Sequence, residues 1–261
     1  MVQPADAGSG GKLGVNGFGR IGKLTVWHHV ARKYFDEIVV NIGRQAGVSL
    51  ADIAHYVERD STYGWLHGYL YGHLGQPVVG DLDEGSGSMV IDGVKVRFLR
   101  HHRDPAEIGW GDHDVRLVVD TTGQFLDPIA GLNHPQGTAR GHLASGVDKV
   151  ILSAPFKLKD EGTPMPEDAV TTIMGINDSD YDPRRHTIIS NASCTTNCLA
   201  PVAKVLLENF GLRCGLMTTI HSYTTSQMLL DLAARVLGVL PQVRLERRPR
   251  IGRNDRANTS R

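Results

Sequence analysis

The sequence predicts an α/β protein built on a doubly wound parallel sheet, and three observations carry that prediction. Apolar strand patterns alternate with helical patterns through the first 153 residues. A glycine-rich turn, Gly17-Phe18-Gly19-Arg20-Ile21-Gly22, stands between the first strand and the first helix. Residues 115–120 (VRLVVD) form a continuous apolar run, which suits a strand buried on both faces of a parallel sheet.

Taken in order, residues 1–11 (MVQPADAGSGG) are Pro/Gly/Ser-rich without periodicity and predict a flexible arm. Residues 12–16 are a short apolar strand. Ile21, Leu24, Val26, Trp27, Val30 and Phe35 then recur at three- and four-residue spacing, the mark of an amphipathic helix. Residues 37–42 (EIVVNI) are a second strand and 50–57 a helix. Residues 61–100 carry short Gly-bounded segments around a turn-like insert at 81–88. After the run at 115–120 come a helix at about 135–145 and a strand at 149–153. Beyond it, 171–174, 187–190 and 216–221 are predicted strands, and 194–210 a helix. The chain shows no repeat of 20 to 50 residues.

Composition excludes several classes. The 261 residues are 41% hydrophobic, with 28 Lys+Arg against 28 Asp+Glu, so disorder and collagen are ruled out. Three cysteines cannot staple a chain this long, and they point to a reducing compartment, the cytoplasm. No segment has the pattern of a signal peptide or a membrane span, so no membrane partner is expected. The zero net charge gives no overall pull toward nucleic acid. It conceals an asymmetry: residues 233–261 hold eight Arg against Glu246 and Asp255, leaving a mildly acidic body. This tail reads as a solvated end, with a nucleic-acid arm as the alternative.

The glycine turn follows a strand, opens a helix and sits in a strand–helix–strand unit, the context of a Rossmann-like dinucleotide site. Gly17 permits the tight turn, Gly19 lets backbone N–H groups approach a pyrophosphate, and Gly22 lets helix pack close to strand. A carboxylate for the ribose hydroxyl is missing at the end of the second strand, which reads Val40-Asn41-Ile42-Gly43-Arg44. Arg44 is a candidate for a 2′-phosphate, and an exposed loop arginine without a ligand fits equally well, so NAD and NADP both remain open.

A second constellation is Ser190-Asn191-Ala192-Ser193-Cys194-Thr195-Thr196-Asn197-Cys198, joining a strand to a helix. Asn191 and Ser193 are good cap residues, which puts Cys194 at or near the helix N-terminus, where dipole and free N–H groups favour a nucleophilic thiolate. His221 ends the next predicted strand and is a candidate acid or base beside it. Cys198, one turn on, is expected to be buried and inert. Without a second Cys/His pair at ligand spacing, no metal is expected. The other histidines are scattered, and the pairs His28-His29 and His101-His102 read as surface residues.

With these blocks, Val15-Asn16-Gly17-Phe18-Gly19-Arg20-Ile21-Gly22, Ser190 to Pro201 and Thr219-Ile220-His221-Ser222-Tyr223-Thr224, the chain resembles phosphorylating glyceraldehyde-3-phosphate dehydrogenases over residues 12–232. The cysteine block is shared with erythrose-4-phosphate dehydrogenases. The resemblance implies that Arg20 and Ile21 lie along the cofactor pyrophosphate, that Arg103 flanks the adenine, and that Thr122, Gly123 and Ser153 line the nicotinamide side. It implies that Cys194 attacks the aldehyde with help from His221, and that Ser193, Thr195 and Thr224 hold substrate or phosphate. Hydride would pass to NAD or NADP, and inorganic phosphate would release an acyl phosphate, a step of glycolysis and glucose metabolism. The family also forms homotetramers.

Ile42 stands where the family usually has its ribose-binding Asp. The family's later basic helix, threonine-rich phosphate loop, phosphate-binding Arg and nicotinamide-binding Asn are not found after Leu232. The expected organisation is therefore an arm (1–11), a dinucleotide-binding domain (12–153), an incomplete α+β catalytic domain (154–232) and a divergent Arg-rich tail (233–261). A catalytically impaired dinucleotide-binding fragment is the alternative expectation.

Overall fold

The computed structural model describes residues 10–43, 49–100, 102–158 and 162–221. The chain divides into two units, Met1–Cys214 and Gly215–Arg261. The first runs β1 (Lys12–Asn16), α1 (Arg20–Arg32), β2 (Glu37–Asn41), α2 (Leu50–Glu58), β3 (Arg59–Asp60), β4 (Gly64–Trp65), α3 (Leu66–Tyr71), β5 (Val79–Asp83), β6 (Ser88–Ile91), β7 (Val94–Leu99), β8 (Val115–Asp120), α4 (Ala139–Ala144), β9 (Lys149–Leu152), β10 (Ala169–Thr171), β11 (Ile188–Ser190) and α5 (Cys194–Phe210).

Nine strands form one sheet in the order β10-β11-β9-β8-β1-β2-β7-β6-β5, with β3 and β4 pairing separately. From β10 to β7 every pairing is parallel, and β7-β6-β5 is an antiparallel meander. The predicted doubly wound parallel α/β fold is therefore present. The chain leaves the central β1 toward β2 on one side and returns to β8 on the other. The order reverses there, and the crevice at such a reversal is where ligands bind in open α/β sheets.

Period-two alternation of side chains divides the apolar residues between two cores. Leu13, Val15, Ile38 and Val40 pack with Val26, Trp27 and Val30 of α1. Val39, Val118, Val150 and Ile188 pack on the opposite face with Trp110 and Ala139. Gly14 lets β1 fit against that second core, since an added Cβ would lie 2.7 Å from Val118 Cγ2.

Several expectations are corrected. The helix predicted at 135–145 is confined to Ala139–Ala144, because Gly137 has φ +77° and Thr138 is extended. The strand predicted at 171–174 instead ends at Thr171; the next residues form a turn in which Asn177 Oδ1 accepts from the Ile173 N–H at 2.8 Å. Residues 216–221 are not a strand, and Leu216 and Ile220 are almost wholly exposed. A strand needs a hydrogen-bonded neighbour, and local sequence does not supply one. β8 is interior to the sheet, yet Arg116 reaches solvent and pairs with Asp148, so its burial on both faces is incomplete. The sheet also runs past 153, where a second domain was expected to begin, since β11 pairs with β9 and β10 with β11.

His29 is half-buried rather than a surface residue, with its ring 5.2 Å from Phe35 and 5.3 Å from His28. Burial, reinforced by the His28 charge, lowers its pKa to about 4. Its pKa is below that of an unfolded histidine, so the unfolded chain binds the proton more readily. Stability is therefore expected to fall as pH drops from 6.5 to 4, by about 1 kcal/mol once solvent screening of this half-exposed ring is allowed for. Denaturant titrations of the parent and of His29→Phe measure this, and the variant should lose most of that slope.

Candidate functional site

The carboxyl ends of the parallel strands bring together most of the predicted site residues. Gly17 follows β1 with φ +93°, and an added Cβ would lie 2.9 Å from Thr122 Cγ2. At Gly22 the same atom would lie 2.1 Å from the Gly17 carbonyl oxygen. Both glycines are thus demanded by close approach. Gly19 is the N-cap of α1, has no side-chain cap and has open space around it. This leaves the first N–H groups of α1 to an incoming anion, so the loop fits a dinucleotide pyrophosphate.

Across the crevice, β8 ends at Asp120, which is 2% exposed. Its Oδ2 accepts from Asn16 Nδ2 at 2.7 Å and contacts His142 Nε2 at 3.1 Å. Its Oδ1 accepts from the Thr122 N–H at 2.9 Å and the Thr122 hydroxyl at 2.6 Å. Thr122 meets Gly17 at this edge, Gly123 follows it in sequence, and the Ser153 N–H donates to the Asp120 carbonyl at 2.9 Å.

Arg20 points toward β3, not freely into the crevice. Its Nε lies 3.3 Å from Asp60 Oδ2, and its Nη2 donates to Ser61 Oγ at 2.9 Å. Asp60 also takes Lys23 Nζ at 3.0 Å, with both side chains almost fully buried. Burial alone would raise the Asp60 carboxyl. Hydrogen bonds from the Thr62 N–H, Lys23, the Tyr63 N–H and Arg20 outweigh it and hold the group well below the usual carboxylate range. Ile21 is 53% exposed beside the loop.

At the end of β2, Ile42 is buried in the core, so no carboxylate stands there. Arg103 is exposed, and its Nε donates to the Gly43 carbonyl at 2.9 Å. Arg44 and Thr224 lie outside the described residues.

Cys194 is the first residue of α5, as expected, and is exposed. Ser193 Oγ accepts from the Thr196 N–H at 3.0 Å, capping the helix. The turn is tight: Ala192 has φ +57°, and its N–H donates to Ser190 Oγ at 3.1 Å. Asn197 Nδ2 ties the helix back to the carbonyls of Asn191 and Ser193. Beside this turn lies a largely apolar cavity of about 600 Å³, lined by Phe156, Lys157, Met165, Ser193 and Thr196 among others. Thr195 is half-buried, one residue past Cys194. Cys198 is exposed, against expectation, because α5 has no buried residue. His221 belongs to the second unit.

Residues 11–128 match the family model described as glyceraldehyde 3-phosphate dehydrogenase, NAD binding domain, and 193–239 match the C-terminal domain of the same family. The chain belongs to the glyceraldehyde 3-phosphate dehydrogenase family. It is 39% identical over 221 residues to glyceraldehyde-3-phosphate dehydrogenase 2 of Bacillus subtilis, covering 84% of this chain and 55% of that protein. It is 38% identical to glyceraldehyde-3-phosphate dehydrogenase of Geobacillus stearothermophilus, covering 85% and 56%. The chain thus spans about half the length of the curated relatives it matches.

Against that family background, sequence reasoning missed Asp120, His142, Lys23 and Asp60. Asp120 had one legible signal, a carboxylate at the end of an apolar strand just before Thr-Thr-Gly. Lys23 had another, since it shares the helix face of Val26, Trp27 and Val30. Among the described residues no helix is long and apolar enough to cross a membrane, and no cluster of metal-ligating residues occurs.

Proposed function

We propose that this protein oxidises glyceraldehyde 3-phosphate to an acyl phosphate, using NAD(P)⁺ and inorganic phosphate, through a thioester on Cys194. The observation that carries this reading is an exposed cysteine at the first position of a capped helix. It follows β11, a strand of the sheet whose β1 leads into a glycine loop shaped for a dinucleotide. The family membership supplies the reaction class, and a cytoplasmic enzyme of glycolysis accords with it. Within this reading, a dinucleotide-binding domain runs to β11, and the catalytic portion opens at Ser193, where the second family match begins.

The Gly17–Gly22 loop and the α1 N-terminus hold the pyrophosphate, with Ile21 and Arg20 alongside. Arg103 flanks the adenine, and Thr122, Gly123 and Ser153 face the nicotinamide. NAD(P)⁺, when bound, supplies the hydride acceptor. Cys194 Sγ bonds to the aldehyde carbon, whose hydrogen leaves with its electron pair, so the aldehyde is oxidised to a thioester. A phosphate oxygen then displaces Sγ, and His221 takes the phosphate proton as the thiolate is restored. Ser193, Thr195 and Thr224 bind the substrate and inorganic phosphate.

The test follows reduced nicotinamide produced by the full chain from glyceraldehyde 3-phosphate, with and without inorganic phosphate. Phosphate-dependent turnover is expected. A burst near one equivalent without turnover would instead favour a fragment that binds dinucleotide and acylates but does not release product. Erythrose 4-phosphate as the better substrate would move the reading to the sister activity. For the cofactor, Ile42 in place of a carboxylate removes the usual acceptor for a ribose 2′-hydroxyl, and Arg44 is the candidate partner for a 2′-phosphate. Arg44→Ala should weaken NADP⁺ about tenfold and leave NAD⁺ unchanged. Equal effects on both would remove Arg44 from cofactor choice. A homotetramer, as in the family, is part of the same proposal, and light scattering of the full chain measures it.

A further inference from the structure

We propose that His142, a buried residue of α4, is a positioning residue for the dinucleotide site. Through Asp120 it fixes Thr122 as a hydrogen-bond acceptor for a donor group of the cofactor, either a ribose hydroxyl or a carboxamide NH₂. The inference rests on the dinucleotide reading above.

Trp110 Nε1 lies 2.9 Å from His142 Nδ1, and both side chains are wholly buried. An indole nitrogen only donates, so His142 Nδ1 accepts and the imidazole proton sits on Nε2, facing Asp120 Oδ2 at 3.1 Å. The second donor to that oxygen is Asn16 Nδ2. Asn16 Oδ1 must then accept, and it takes Asn41 Nδ2 at 2.8 Å. With Oδ2 occupied by two donors, Oδ1 takes the other two, the N–H and the hydroxyl of Thr122.

A carboxylate offers about four acceptor sites, and here all four are used. The Thr122 hydroxyl hydrogen is therefore committed to Asp120. Its oxygen accepts one weaker bond, from the Gln124 N–H at 3.2 Å, and keeps a lone pair. Thr122 stands beside Gly17, the first glycine of the dinucleotide loop, with its Cγ2 and backbone nitrogen nearest that glycine. Asn16 adjoins the same glycine. One carboxylate thus joins both walls of the crevice, and His142 holds it from behind.

The experiment measures NAD⁺ affinity by calorimetry and thermal stability on the full chain. Thr122→Val keeps the shape, removes the oxygen and is expected to weaken NAD⁺ about tenfold. Thr122→Ser should restore affinity to within about twofold. His142→Leu should weaken NAD⁺ to a similar degree, and adding Thr122→Val to it should cost little more, because both act through one contact. His142→Gln can accept from Trp110 and donate to Asp120, so it should bind nearly as the parent does. If His142→Leu does not fold, the Thr122 series and His142→Gln still decide. Parent-like affinity in Thr122→Val, or losses from His142→Leu and Thr122→Val that simply multiply, would overturn this inference alone. A parent chain that binds no NAD⁺ would overturn the dinucleotide reading with it.

Discussion

Replacing Asp60 with alanine is expected to destabilise the first unit by about 3–5 kcal/mol, because it strands a buried ammonium group. Lys23 Nζ has three partners: Asp60 Oδ2 at 3.0 Å, the Arg59 carbonyl at 2.7 Å and the Tyr56 ring at 4.1 Å. Two are neutral, so removing Asp60 takes away the only opposite charge within this set. The Thr62 and Tyr63 N–H groups lose their shared acceptor in the same step, at 2.8 and 3.1 Å. Arg20 loses its ion pair as well and keeps only its bond to Ser61 Oγ of these two. Asp60 is depressed in the folded state, so its contribution is present above the ordinary carboxylate range. It is lost progressively as pH falls from the ordinary carboxylate range toward the low folded value. Urea denaturation near neutral pH measures the effect, and a loss below about 1 kcal/mol would contradict this account of the pair. Lys23→Met combined with Asp60→Ala should recover part of the loss, since the stranded charge is then gone.

Gly22→Ala is the second large effect. The new Cβ would sit 2.1 Å from the Gly17 carbonyl oxygen and 2.8 Å from Thr121 Oγ1. The first contact is with backbone, so no side chain can turn away to relieve it. Either the loop opens or α1 shifts from β1, at a cost of about 2–4 kcal/mol. The N–H groups of the α1 first turn move with it, so NAD⁺ affinity should fall further than fold stability does. Gly19→Ala is the control, because nothing lies within 4 Å of its added Cβ. Equal losses of stability in the two variants would contradict the packing role of Gly22.

What was legible in the sequence is what depends on local chemistry. β1, α1 and α5 lie where periodicity, Gly17-x-Gly19-x-x-Gly22 and the Ser193 cap put them. So does Cys194, since a cap and its helix are a few residues apart. The errors fall where structure depends on partners distant in sequence. Residues 216–221 have strand-like composition and yet are not a strand. The helix predicted at 135–145 was overextended because apolar spacing does not register that Gly137 adopts a left-handed φ. His142 is one histidine among twelve in the sequence. Its burial follows from contacts with Trp110, 32 residues earlier, and Asp120, 22 residues earlier. Lys23 was hidden in the same way, by an ion pair to a residue on β3.

The central claim is that Cys194 is the nucleophile of an aldehyde-oxidising site, and acylation tests it most directly. The full chain is mixed with NAD⁺ and glyceraldehyde 3-phosphate, without inorganic phosphate, and its mass is measured intact and after proteolysis. One acyl group per chain is predicted, carried on Cys194, discharged by added phosphate and absent from Cys194→Ser. No adduct, or one that persists in Cys194→Ser on Cys198 or Cys214, would contradict it.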